Sequence, residues 1–217
     1  MIFEVDDMLK RLLTAILIFY LPAASAAGKS ILVLGDSLSD SYGISVEQGW
    51  VTLLQERLID RDYDYRVVNA SISGDTTSGA YSRLADLLNT SPFDIAIVEL
   101  GGNDGLRGLP LEEMQKNLSK IITLLVEHHV RVLLIPIELP PNYGQIYTTQ
   151  FQGVYQRLGA AHDVVLGKFL LDGIALNPEL MQADGIHPKA NAQHLILENI
   201  WPYLEPMLGG WSRNQES

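Results

Sequence analysis

The chain contains no cysteine. Disulfides, thiolate nucleophiles and cysteine-ligated zinc are therefore excluded. This absence does not set the compartment, because an exported protein need not carry a disulfide. Positive charge is also scarce: 15 Lys and Arg stand against 26 Asp and Glu, a net charge of −11. No block of basic residues relieves that balance. An acidic surface repels phosphate backbones, so nucleic acid is not an expected partner. A phosphate-cradling glycine-rich loop is missing, which removes support for nucleotide use. No carboxylate–histidine spacing suggests a metal site, and His128, His129, His162 and His194 read as structural.

Long apolar runs are lacking too. The segment Leu12 to Ala24 is 13 residues long and is interrupted by Thr14, Tyr20 and Pro22. A membrane span needs about 20 apolar residues, so no stable membrane anchor is expected. Lys10 and Arg11 precede the run, and Ala24-Ser25-Ala26 follows it as a small-x-small cleavage site. That is the layout of a secretory signal peptide over residues 1–26, which directs the protein to the periplasm or outside the cell. Residues 1–7 carry three acidic side chains ahead of the basic pair, an unusual start, and Met8 is an alternative first residue.

What remains is ample for a domain. Of 217 residues 47% are hydrophobic, enough for one full core. Residues 27–208 read as a single domain without repeat or linker, and 209–217 as a polar tail. Apolar runs alternate with amphipathic stretches, the pattern of an α/β fold with a parallel sheet. Strands are expected at Ile31–Leu34, Tyr65–Ala70, Ile95–Leu100, Arg131–Ile137 and Val164–Leu166. Helices are expected at Gln48–Ile59, Thr77–Leu88, Leu111–His128, Gln145–Ala161 and Ala190–Leu208, the last perturbed near Pro202.

Four short motifs punctuate this pattern. They are Gly35-Asp36-Ser37-Leu38-Ser39, then Gly74, then Gly101-Gly102-Asn103-Asp104, then Asp184-Gly185-Ile186-His187-Pro188. The first three follow expected strand ends, where open α/β sheets build their sites. A serine hydroxyl needs a base to take its proton. Ser37 can be that nucleophile, His187 its base and Asp184 the group that orients the base. The N–H groups of Ser37 and Gly74 and the side-chain amide of Asn103 can stabilise an oxyanion. Each motif alone has a plainer reading: Asp36-Ser37 and Asp184 as caps, Ser73-Gly74-Asp75 as an ordinary turn, Gly101–Asp104 as a loop needing positive φ. Their joint occurrence in this order favours the chemical reading. Asn69, Asn89 and Asn117 open glycosylation sequons, a motif short enough to arise by chance.

The four motifs resemble the blocks of the SGNH (GDSL-type) hydrolases. The wider stretches 69–76, 98–108 and 181–188 resemble the periplasmic multifunctional thioesterase I/lysophospholipase L1/arylesterase group of that family. The likeness covers residues 29–208. It implies a flavodoxin-like three-layer α/β/α sandwich with five parallel strands. It also implies a periplasmic monomer that hydrolyses acyl esters and thioesters, lysophospholipids among them, without cofactor or metal. Ser37, Gly74, Asn103 and His187 fill the family's four named positions and Asp184 completes the triad. Leu106, Arg107, Gly108 and Leu109 resemble the group's mobile substrate loop. Apolar residues near the expected crevice, including Leu106, Leu109, Leu139, Pro140, Pro141 and Tyr143, can hold an acyl chain, whereas Ile137 reads as core. Two alternatives stay open: a carbohydrate O-acetylesterase, and an exported domain that keeps the fold and binds without catalysis.

Overall fold

The computed structural model describes residues 28–209. The leader read over residues 1–26 lies outside the described residues, as does the tail beyond Gly209. Five strands form one sheet: β1 (Lys29–Gly35), β2 (Tyr65–Asn69), β3 (Ile95–Glu99), β4 (Arg131–Leu134) and β5 (Val165–Leu166). Their order is β2-β1-β3-β4-β5 and every pairing is parallel. This is the flavodoxin-like order, which reverses direction between β1 and β3.

Among the described residues, six α-helices connect and cover the strands: α1 (Trp50–Asp60), α2 (Thr77–Thr90), α3 (Gly102–Leu106), α4 (Leu111–Glu127), α5 (Gln145–Ala161) and α6 (Gln193–Leu208). Side chains along a strand alternate between faces. In β1, Ile31 and Val33 therefore point to one core, where Trp50, Leu54 and Leu58 of α1 meet Ile196, Ile200 and Leu204 of α6. Leu32 and Leu34 point to the other, built with Ala80 and Leu84 of α2, Leu118 and Ile122 of α4, and Phe151 and Val154 of α5. The continuous apolar runs of β1 and β3 follow from this two-sided burial, since both faces of a central parallel strand are covered. Fully burying one such Leu or Ile contributes about 1.5–3 kcal/mol.

Local signals set the helix ends. Thr76 caps α2 by accepting from the Gly79 N–H at 3.2 Å. Glu112 and Glu113 occupy the first turn of α4, where negative charge complements the helix dipole. Several element ends shift by one to three residues from expectation, and α6 starts at Gln193 rather than Ala190 and runs through Pro202 to Leu208. β4 stops at Leu134 rather than Ile137, although the Ile135 N–H still reaches the Val98 carbonyl at 2.9 Å. Pro136 follows without an N–H to extend the ladder. Residues 102–106, to which the sequence pattern assigns no helix, form the short helix α3. Among the described residues, no helix is long and apolar enough to cross a membrane.

Candidate active site

β1 ends at Gly35, and the chain then turns sharply. A Cβ at Gly35 would stand 2.8 Å from both Glu99 Oε2 and the Ser39 side chain, so only glycine fits this exit. The Asp36 carbonyl accepts from the N–H groups of Ser39 (3.2 Å) and Asp40 (2.9 Å). The Asp36 carboxylate accepts from the Leu38 N–H at 3.1 Å. Capping in this turn is thus done by Asp36, which leaves the Ser37 hydroxyl free for another partner.

That partner is His187, whose Nε2 lies 2.9 Å from Ser37 Oγ. The 181–188 segment folds back on itself: Met181 and Pro188 bridge in antiparallel fashion, and the Gln182 N–H donates to the His187 carbonyl at 2.8 Å. Gly185, at φ +67°, lets the tip reverse. Asp184 Oδ1 accepts from the N–H groups of Ile186 (2.9 Å) and His187 (3.0 Å). Asp184 Oδ2 meets His187 Nδ1 at 2.7 Å. Partial burial would raise the Asp184 pKa, but the His187 ring and these two N–H groups outweigh it and lower it from 3.8 to about 2. A carboxylate there holds the proton on Nδ1 and leaves the Nε2 lone pair facing the Ser37 hydroxyl. Serine, imidazole and carboxylate form one hydrogen-bonded line within the 2.6–3.2 Å typical of acid–base pairs.

Donors gather around this line. Asn103 lies in α3, just past β3, and α3 starts at Gly101 with φ +114°. A Cβ at Gly101 would collide with the Tyr155 hydroxyl, which donates to the Leu100 carbonyl at 2.8 Å. The Asn103 amide donates to Asp36 Oδ2 at 3.0 Å. Gly74 sits in a turn at φ +80° after β2, and its carbonyl accepts from Arg107 Nη2 at 2.9 Å. Among the described residues, neither the Ser37 nor the Gly74 N–H is taken by a protein acceptor.

Two buried carboxyls lie under the turn. Burial pushes Asp36 from 3.8 up to about 6, against the opposing pull of the Leu38 N–H, the Asn103 amide and the nearby His187. Burial and the neighbouring Asp36 push Glu99 well above the usual carboxylate range. Glu99 Oε2 accepts from the Ser39 hydroxyl at 2.7 Å.

A cleft of about 680 Å³ opens beside the line and includes Ser37, Asn103 and His187 in its walls. Leu106, Leu139, Pro140 and Pro141 line it, as does Ile137, which is also buried in the core. Arg107, Gly108, Leu109 and Tyr143 are not among the lining residues. Arg107 is engaged with Gly74, and the Tyr143 hydroxyl donates to the Leu106 carbonyl at 3.1 Å. Phe169, Leu171, Ala175, Leu176 and Met181 also line the cleft; they come from an irregular stretch with no periodicity to reveal it. Tyr42 was also missed; its ring lies against His187.

A parallel α/β/α domain with a serine–histidine–aspartate line at its topological switch point has the architecture of the serine acyl hydrolases. Residues 33–195 match the family model described as the GDSL-like Lipase/Acylhydrolase family, and the chain belongs to that family. It is 47% identical over 197 residues to the Esterase TesA of Pseudomonas aeruginosa, covering 91% of this chain and 98% of that protein. It is 39% identical over 184 residues to Thioesterase 1/protease 1/lysophospholipase L1 of Escherichia coli K12, covering 85% of this chain and 87% of that protein. Among solved structures it is similar to the psychrotrophic esterase EstA from Pseudoalteromonas sp., inhibited by monoethylphosphonate, with a TM-score of 0.80 and 37% identity over 84% of this chain and 100% of that one.

Proposed function

We propose that this protein is an exported serine hydrolase that cleaves acyl esters and thioesters through an acyl-Ser37 intermediate. The observation that carries the reading is the continuous line from Ser37 Oγ through His187 to Asp184. Ser37 Oγ attacks the acyl carbonyl carbon while its proton passes to His187 Nε2. The negative charge that develops on the carbonyl oxygen is met by the N–H groups of Ser37 and Gly74 and by the second N–H of the Asn103 amide. An amide nitrogen carries two donors, so the bond to Asp36 leaves one available. Collapse of the tetrahedral species breaks the bond to the leaving alcohol or thiol, which takes the proton from His187. Water, deprotonated by His187, then attacks the acyl-Ser37 carbonyl, and the acid leaves as Ser37 recovers its proton.

The lining of the cleft supports an apolar acyl group. Leu106, Leu139, Leu171, Leu176 and Met181 offer it hydrocarbon, and the polar lining comprises Ser37, Asn103 and His187 together with Asp36, Glu138, Thr148 and Gln152. The relatives named esterase and thioesterase/lysophospholipase support the same substrate class. Leu106–Leu109 is proposed as a cover over the bound chain, and Arg107, Pro141 and Tyr143 as residues that shape it. Export rests on the sequence layout of residues 1–26. The test is kcat/KM on p-nitrophenyl esters from acetyl to palmitoyl, beside Ser37→Ala. Ser37-dependent turnover that persists or rises with chain length supports a fatty-acyl hydrolase. Turnover confined to acetyl replaces it with a deacetylase, and no Ser37-dependent turnover in a folded protein rejects the enzymatic reading.

A further inference from the structure

We infer that Tyr42 is a positioning residue for the reaction proposed above: its ring face holds the His187 imidazole in line with Ser37 and stabilises the imidazolium formed during attack. The inference rests on the proposed role of His187 as base. The two ring centroids are 4.3 Å apart with planes inclined at 36°. Asp184 grips the imidazole at one nitrogen, which fixes its tautomer but leaves the ring free to tilt about that bond. Tyr42 closes off one face.

The backbone around Tyr42 is built to keep it there. The Tyr42 N–H donates to the Ser37 carbonyl at 3.3 Å. The Tyr42 carbonyl accepts from Gln182 Nε2 at 2.8 Å, and the same nitrogen donates to the Pro188 carbonyl at 3.0 Å. The Gln182 N–H donates to the His187 carbonyl. Tyr42 is thus tied at its N–H to the serine turn and at its carbonyl to the segment bearing the histidine. Left-handed residues flank it on both sides, Ser41 at φ 63° and Gly43 at φ 76°. A left-handed non-glycine residue is strained and persists only where its surroundings over-determine it. Ser41 is buried, with its hydroxyl packed against Gly49 where no Cβ could stand, and the Gln182 amide fills the space a Cβ on Gly43 would need.

Tyr42 itself is 51% exposed and does not line the cleft. Core packing therefore does not explain its restraint. The electrostatics do. An aromatic face attracts a cation within about 6 Å of its centroid and does little for a neutral ring. In the proposed reaction the His187 ring gains a proton and a positive charge during attack, so the contact strengthens where it lowers the barrier.

The experiment measures kcat, KM and Tm for the wild-type chain, Tyr42→Phe, Tyr42→Leu and Ser37→Ala on p-nitrophenyl butyrate. Tyr42→Leu should lower kcat about fivefold at unchanged KM and nearly unchanged Tm. Tyr42→Phe keeps the face and should keep the wild-type kcat. Wild-type kcat in Tyr42→Leu, a raised KM with kcat intact, or equal losses in the Phe and Leu variants would each overturn the inference while leaving Ser37-dependent catalysis standing. Wild-type turnover in Ser37→Ala would overturn both.

Discussion

One carboxylate, that of Asp36, binds both the Leu38 N–H at 3.1 Å and the Asn103 side-chain amide at 3.0 Å. The turn that carries Ser37 and the amide proposed for the oxyanion hole therefore share an anchor. A Cβ at Gly102 would come within 3.2 Å of that carboxylate, so the helix start is fitted to it as well.

This anchor makes the two residues separable in kinetics. Asn103→Ala removes the donor proposed for the developing oxyanion and should lower kcat by about 10²–10³ with little change in KM. Asp36→Ala leaves the amide present but unheld and should cost less, about tenfold. Steady-state kinetics on one ester for both folded variants checks the order; a larger loss in Asp36→Ala would reverse the assignment.

Burial of Asp36 also predicts a pH dependence of stability. The unfolded chain releases this proton near 3.8 and the folded chain at about 6. Between those values the folded state binds more protons, so its stability falls as pH rises across the window. Glu99 acts in the same direction. Asp184 acts oppositely and lower down: its folded pKa is about 2, so its contribution is present above 3.8 and lost as pH falls toward 2. Chemical denaturation from pH 4 to 6 should give a shallower decline in Asp36→Asn than in wild type. An identical slope would show that Asp36 does not titrate as its burial dictates.

Leu176 is 91% exposed yet forms part of the cleft wall. Leu176→Asp should leave Tm unchanged, because little is buried there. It should lower kcat/KM for long-chain p-nitrophenyl esters about tenfold and leave the acetyl ester untouched, if the proposed acyl chain lies along that wall. Equal losses on both esters would mean that the acyl chain runs elsewhere.

Gly74 stands at φ +80° with open space around its Cβ position, the nearest atom being Arg107 Nη2 at 3.6 Å. Gly74→Ala is therefore penalised by backbone strain rather than collision, at about 1–3 kcal/mol. Denaturant unfolding measures the loss. An alanine variant as stable as wild type would contradict the left-handed conformation.

The sheet was readable because burial on both faces writes short continuous apolar runs into β1 and β3, and α4 because Met114, Leu118, Ile121 and Leu125 recur at helical spacing. The motif residues were readable because parallel strands deliver Ser37 and Asn103 to adjacent strand ends. Three features were not. The helix α3 has only five residues, too few to form on propensity, and it depends on Gly101 and the hydroxyl of Tyr155, 54 residues away in sequence. The wall at Phe169–Met181 has neither period, so nothing local marks it. Tyr42 meets His187 across 145 positions through loop geometry alone. Local pattern encodes elements; contacts between irregular segments are encoded only by the finished fold.

The most direct test of the central claim is intact-protein mass spectrometry, with peptide mapping, after exposure to a fluorophosphonate. The account predicts a single adduct on Ser37, absent in Ser37→Ala and formed much more slowly in His187→Ala. No adduct on the folded wild-type chain, or equal labelling of Ser37→Ala, would contradict it.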